Sequence, residues 1–258
     1  MSKTLFDLSG RVAVVLGGSS GLGRAISIGL ACHGADVVPA GRRAEALVSV
    51  CEKIRQVGRK TLEAPVDVSV RDAVEQLRDQ VVNTFGRVDI LVNAAGSTFR
   101  KPTLDISDDE WFGLFDTNLL GVLHGCQVFY GDLKSSGAGR IINIASLGSY
   151  VAFQEVAAYC ASKAAVLSLT RSLAIEWARD KICVNAIAPG VFPTELNLAL
   201  LSGTARGREI LLRTPMNRFG DPKEVVGAAV LLASDGASFI TGHCIAVDGG
   251  FLASGVNS

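Results

Sequence analysis

Two periods of apolar residues alternate along the chain. Arg11 to Leu16 is a short β-branched run of the kind that forms a strand buried on both faces of a parallel sheet. A helical pattern follows, with Ala25, Ile26 and Leu30 as its apolar members. The same succession recurs to the C-terminus. A second strand begins at Val37-Val38, and Pro39 inside it predicts a bulge or an early strand end, because proline removes a ladder hydrogen bond. A helix over Glu45 to Val57 stops at Gly58, and Thr61 to Val66 reads as a third strand. Val70 to Phe85 is helical up to Gly86, and Val88 to Asn93 is a fourth strand. Ser107-Asp108-Asp109-Glu110 is a capping-box arrangement that opens a long helix. Arg140 to Ile144 is a fifth strand, Val156 to Ala178 a long helix, Ile182 to Ile187 a sixth strand and Gly242 to Val247 a last one. Strands alternating with helices predict an α/β domain, a doubly wound parallel sheet of about seven strands. No linker or repeat divides residues 1–258, so one domain is expected, with its longest excursion near 190–222.

Chemistry concentrates at two places on this frame. The first strand runs into Gly17-Gly18-Ser19-Ser20-Gly21-Leu22-Gly23. Strand, glycine-rich turn and helix together let the backbone approach a pyrophosphate, which then sits at the helix N-terminus. The spacing is G-x-x-x-G-x-G, not the commoner G-x-G-x-x-G. The second place is Tyr159-Cys160-Ala161-Ser162-Lys163, with Ser146 thirteen residues before the tyrosine. A Tyr and a Lys four apart share a helix face. An ammonium beside a phenol lowers its pKa from about 10, and a nearby serine could hold a substrate oxygen. That is equipment for moving a proton to or from an alcohol or ketone oxygen.

Charge and cysteine content narrow the class. Lys+Arg and Asp+Glu are both 25, which gives no electrostatic support for nucleic-acid binding. The Arg206 and Arg208 cluster is too short for a polybasic tail. The six cysteines are scattered without C-x-x-C spacing or a Cys/His cluster, so no metal site is expected. The N-terminal residues lack the apolar stretch of a signal peptide, and no run is long enough to span a bilayer. Reduced thiols in a cytoplasmic setting are the expectation.

The glycine motif, Asn93-Ala94-Ala95-Gly96, Ser146, Tyr159 and Lys163, in this order and spacing, resemble the short-chain dehydrogenase/reductase family over essentially the whole chain. The resemblance implies a single Rossmann-type domain, a nicotinamide cofactor and hydride transfer at a carbonyl or secondary alcohol. It implies that Tyr159 is the general acid or base, that Lys163 tunes it and holds the nicotinamide ribose, and that Ser146 orients the substrate oxygen. Asn118 matches the family's helix asparagine that holds a water linking the lysine to solvent. Gly17, Ser19, Ser20, Gly21, Leu22, Gly23, Asn93, Ala94, Ala95 and Gly96 would bind cofactor, with Asp67 and Val68 at the adenine. Pro189, Gly190, Phe192 and Thr194 resemble the nicotinamide-contacting turn. The family commonly forms homotetramers through its two long central helices. Leu16 departs from the pattern, which has a threonine there, and removes a hydroxyl expected to tie the first and fourth strand ends. Ala94 is a milder departure from the usual second asparagine.

An acid at the end of the second strand usually holds the ribose 2′-hydroxyl of NAD, and a basic residue accommodates the 2′-phosphate of NADP. Here Gly41 fills that position and Arg42-Arg43 follow, so NADP is expected over NAD. The substrate is less legible, because one framework serves sugars, steroids, acyl thioesters and small ketones. Arg100-Lys101-Pro102 and Phe251-Leu252-Ala253-Ser254-Gly255 resemble the gluconate 5-dehydrogenase branch, in which Arg100 could bind a sugar-acid carboxylate. The alternatives are a 3-oxoacyl-(acyl carrier protein) reductase and, from another class, a non-catalytic NADP-binding regulatory protein.

Overall fold

The computed structural model describes residues 4–193, 201 and 203–257. Seven strands form one parallel sheet in the order β3-β2-β1-β4-β5-β6-β7. They are β1 (Val12–Leu16), β2 (Asp36–Gly41), β3 (Ala64–Pro65), β4 (Ile90–Asn93), β5 (Arg140–Ile144), β6 (Cys183–Pro189) and β7 (Cys244–Val247). The helices α1 (Gly21–Cys32) and α2 (Ala44–Gln56) join the helix Val226–Ala233 on one face. On the other lie α3 (Arg71–Phe85), α5 (Gly121–Ser135) and α6 (Ala157–Trp177). Both faces are covered, so β1, β4 and β5 are buried at every position. Strand order reverses between β1 and β4, and the crevice at the carboxyl ends of those strands is where this architecture binds ligands.

Three expectations change. β2 does not end or bulge at Pro39; it pairs with β1 from Asp36 to Ala40, Val15 lying opposite Pro39. The Asp36 amide bonds the Arg11 carbonyl on the β1 side and the Val37 amide bonds the Lys60 carbonyl on the other, so the Pro39 nitrogen also faces away from β1. The β2–β3 ladder starts only at Ala40, beyond the proline, and no ladder bond is lost. For the same reason β3 is shorter than expected, two residues in place of Thr61 to Val66. The long helix opened by Ser107 is interrupted. Its capping box forms as expected at the start of α4 (Asp108–Phe115), but a π-helical turn over Asp116–Leu120 separates α4 from α5. Such turns insert a residue into the helical ladder and occur often at functional sites; this one carries Asn118.

Leu16 is fully buried in the core, and the Ala94 amide bonds its carbonyl at 2.7 Å. The strand ends are therefore tied through the backbone. The missing hydroxyl has a different consequence. Leu16, Asn93 and Asn143 are direct cross-strand neighbours in one row, and Asn93 has an asparagine on one side and a leucine on the other. Its Nδ2 donates to Asn143 Oδ1 at 2.8 Å, while its buried Oδ1 has no hydrogen-bond partner.

Candidate active site

A cleft of about 580 Å³ runs along the carboxyl ends of β1, β2, β4, β5 and β6. The glycine turn forms one wall. Gly17 has φ +85°, a left-handed backbone that glycine adopts without strain, and a Cβ there would lie 2.4 Å from the Ala95 nitrogen. At Gly23 a Cβ would meet the Gly17 carbonyl oxygen at 2.1 Å, so helix and turn touch through bare backbone. Ser20 precedes α1 without capping it, and the first turn holds no acid. The α1 N-terminus thus presents backbone N–H groups and a positive dipole end to the cleft, a site suited to a diphosphate.

The β2 end forms the far wall. Gly41, Arg42 and Arg43 line it, both arginines exposed at the rim. A Cβ at Gly41 would come within 2.8 Å of the Ser19 hydroxyl, which would have to turn aside for any side chain placed there. Asp67 and Val68 line the same end. The Asp67 carboxylate accepts from the amide and hydroxyl of Ser69, which holds its pKa below the ordinary value, with a smaller pull from Arg42.

Opposite the glycine turn stand Ser146, Tyr159 and Lys163. β5 delivers Ser146 just past its tip, where the hydroxyl accepts from the Gly148 amide at 3.1 Å. The first two turns of α6 deliver Tyr159 and Lys163. Lys163 is buried; its ammonium donates to the Ile144 carbonyl at 2.8 Å, and burial lowers its pKa to about 8. Its nitrogen is 6.0 Å from the centre of the Tyr159 ring. The expected lowering of the phenol pKa by this lysine is not what the site does by itself. Burial raises the Tyr159 pKa above its ordinary value, against a hydrogen bond from Ser146 that pulls it down. Desolvation of the phenolate outweighs the neighbouring ammonium, which is bonded to the Ile144 carbonyl.

Of the other expected residues, Ser19, Ser20, Gly21, Leu22, Ala94, Ala95, Gly96, Pro189, Gly190 and Phe192 line the cleft. Thr194 lies outside the described residues. Asn93 is not on the cleft wall; it is buried beneath the Ala94-Ala95-Gly96 turn, bonded to Asn143 and to the Cys126 thiol. Asn118 is also behind the wall. Its carboxamide clamps Ser97, accepting from the amide at 2.8 Å and donating to the carbonyl at 3.0 Å, and it donates to Ser162 at 3.1 Å. A Cβ added to Gly96 would meet both Asn118 Oδ1 and Lys163 Nζ within 3.5 Å, so the asparagine borders the lysine. Arg100 does not line the cleft either; its guanidinium is bonded to Glu155 at 2.6 Å. Ser97, Thr117, Ile144 and Ala145 do line it, and motif reading missed them. The strand-tip position of Ile144 and Ala145 was the available signal.

All six cysteines are free thiols, and no group of potential metal ligands occurs among the described residues. No helix among them is long and apolar enough to cross a membrane. The Cys160 sulfur packs against the Gly148 turn, where an added Cβ would lie 2.9 Å from it.

Comparison with known proteins sharpens the picture. The family model described as Enoyl-(Acyl carrier protein) reductase matches residues 17–252. The chain is 40% identical over 254 residues to a 2-dehydro-3-deoxy-D-gluconate 5-dehydrogenase of Dickeya dadantii, covering 98% of this chain and 100% of that one. It is 38% identical to a gluconate 5-dehydrogenase of Gluconobacter oxydans, covering 97% of this chain and 98% of the relative. The crystal structure of a gluconate 5-dehydrogenase from Burkholderia cenocepacia, in complex with NADP and tartrate, superposes with a TM-score of 0.92 at 37% identity, covering 97% and 98% of the two chains.

Proposed function

The chain belongs to the short-chain dehydrogenase/reductase family, and on that premise we propose that it is an NADP(H)-dependent oxidoreductase whose favoured substrate is a sugar acid. The observation that carries the reading is one cleft holding Ser146, Tyr159 and Lys163 on one wall and the uncapped α1 N-terminus on the other. The α1 N-terminus and the glycine turn would hold the pyrophosphate, and the nicotinamide would supply or accept the hydride. Ser19 and Arg42 would take the 2′-phosphate; glycine in place of an acid at position 41, with Arg42 beside it in the cleft lining, supports NADP over NAD. Pro189, Gly190 and Phe192 are assigned to the nicotinamide end, and Asn118 to backing Lys163.

Each side chain has a definite task in this reading. Ser146 donates to and orients the substrate oxygen. Tyr159, protonated at neutral pH, gives its proton to that oxygen in reduction and takes it back in oxidation. Lys163 supplies positive charge behind the phenol and a donor toward the ribose. The sugar-acid preference is supported by relatives that act on gluconate and its keto and deoxy derivatives. It does not rest on Arg100, which a substrate carboxylate would first have to win from Glu155. A cytoplasmic homotetramer belongs to the same proposal; exposed Leu104, and exposed Phe112 on the helix that carries the stacked Trp111–Phe115 pair, give such an assembly apolar surface to bury.

The test is an NADP⁺-dependent oxidation screen across sugar acids, polyols and 3-hydroxyacyl thioesters. Sugar acids are expected to give the highest kcat/KM. A thioester ahead of them would move the chain to the carrier-protein reductases, and turnover of nothing in any class would leave the cofactor-binding regulator.

A further inference from the structure

A buried polar chain crosses the sheet to the helix that carries Tyr159 and Lys163. Asn93 on β4 donates to Asn143 on β5 at 2.8 Å. Asn143 donates to the Thr170 hydroxyl on α6 at 2.9 Å, and that hydroxyl donates to the Val166 carbonyl at 2.8 Å. The three side chains are 2%, 0% and 1% exposed. The cleft reaches none of them. Burying three polar groups among leucines and valines is costly unless each is paired, so the same space filled with apolar side chains would serve simple adhesion as well. The arrangement calls for a reason other than adhesion.

Register supplies one. Asn143 immediately precedes Ile144, whose carbonyl takes the Lys163 ammonium, and stands three residues before Ser146. Thr170 follows Lys163 by seven residues, two turns further along the same face of α6. The helix is therefore bonded to β5 at two levels, Lys163 to Ile144 and Thr170 to Asn143. Val166, Leu173 and Ala174 also press this face onto the core, but apolar contact has no direction and tolerates sliding or rotation. A rotation of α6 by about 20° would move a side-chain end 5–6 Å from its axis by about 2 Å. Displacements of about 1 Å can cost about a hundredfold in rate.

We propose that Thr170 and Asn143 are positioning residues: their hydrogen bond fixes the rotation of α6 on β5 and so aims the Tyr159 hydroxyl at the substrate oxygen held by Ser146. The inference rests on the reading of Tyr159 as proton donor. Thr170→Val keeps the shape and removes the hydroxyl, and Thr170→Ser keeps the hydroxyl. Thr170→Val should lower kcat by about tenfold or more and displace a limb of the kcat/KM pH profile, with the NADPH dissociation constant within about threefold of the parent. Thr170→Ser should restore kcat and the profile. Asn185→Ala, which removes a buried β6 amide that donates to the Ile240 carbonyl, is the stability control; it should lower Tm and leave both readouts in place. A Thr170→Val protein that loses Tm but keeps kcat and pH profile overturns the proposal. So does a Thr170→Ser protein, the gentler change, that folds and still loses about tenfold in kcat. Full turnover in Tyr159→Phe brings down the proton-donor reading itself and is separable from either result.

Discussion

The glycine-lined end of the cleft and the loops around Glu155 are built by different means. At the nucleotide end, shape comes from backbone: Gly17, Gly23 and Gly41 leave room that any Cβ would fill, and the α1 N-terminus presents its own amides. The pieces lie within one β-α-β segment. In the loops around Glu155, outside the residues that line the cleft, shape comes from side chains brought together across the chain. Arg100 bonds Glu155, the Lys101 amide bonds the Glu155 carbonyl, and Arg206 bonds the Gln154 carbonyl. Phe153 packs against Phe251, over which Arg213 lies at 4.9 Å. Glu155 is held at φ +64°, a left-handed conformation that a glutamate adopts only when its surroundings impose it. A backbone-built site leaves a mark in a short stretch of sequence. A side-chain-built cluster leaves none until the fold gathers it.

The largest expected effect bears on the cleft wall opposite the glycine turn. Tyr159→Phe removes the proposed proton donor and should lower kcat by about a thousandfold, with NADPH binding nearly intact in a fluorescence titration. Retained turnover removes the tyrosine from its assigned role. At the nucleotide end, Gly23→Ala drives a methyl against the Gly17 carbonyl and should weaken both NADPH and NADH by about a hundredfold. Unchanged affinity for both would mean that the turn does not hold the diphosphate. Arg42→Ala is a finer cut. It should weaken NADPH by about tenfold to a hundredfold, the worth of one or two charge-assisted bonds, and leave NADH within about threefold. Equal losses refute phosphate recognition there.

Lys163 gives a readout in stability. Its folded pKa of about 8 lies below the ordinary 10.5 of an unfolded lysine. Between these values the unfolded chain binds more protons, so unfolding free energy should rise with pH from this group, by up to about 1.4 kcal/mol per unit. Tyr159 acts in the opposite sense, its raised pKa withdrawing stability only as the pH passes above about 10. Urea denaturation at pH 8, 9 and 10 should show the rise in the parent and a flatter course in Lys163→Met; parallel courses would deny the buried ammonium. The smallest effect belongs to the Arg100–Glu155 pair. Arg100→Ala breaks a half-exposed ion pair worth about 0–1 kcal/mol, so Tm should barely move. A rise of KM confined to acidic sugars would give the guanidinium a part in binding substrate. An equal rise for neutral polyols would limit it to propping the loop.

The sheet, the glycine turn and the Ser146–Tyr159–Lys163 set were legible because each depends on residues close in sequence or on spacing along one helix. Four features were not. Pro39 looked like a strand breaker, yet its nitrogen faces a side where β3 has not begun to pair. Asn118 sits on a π turn that the helical pattern of its neighbours does not signal. Asn93 looked like a cofactor residue by its motif, but in register with Leu16 and Asn143 it faces the core. The phenol of Tyr159 looked acidified by a lysine one turn away, but burial dominates and raises its pKa.

Local order alone determined the parallel α/β plan, the glycine turn and the placing of Tyr159 and Lys163 on one helix face, because hydrophobic period and glycine geometry act over a few residues. Tertiary structure decided the direction of the Tyr159 pKa shift, the partner of Arg100 and the bonding of Thr170 to Asn143. Those depend on which groups lose water together and which donors meet which acceptors, and both are settled only when segments far apart in the chain pack against each other.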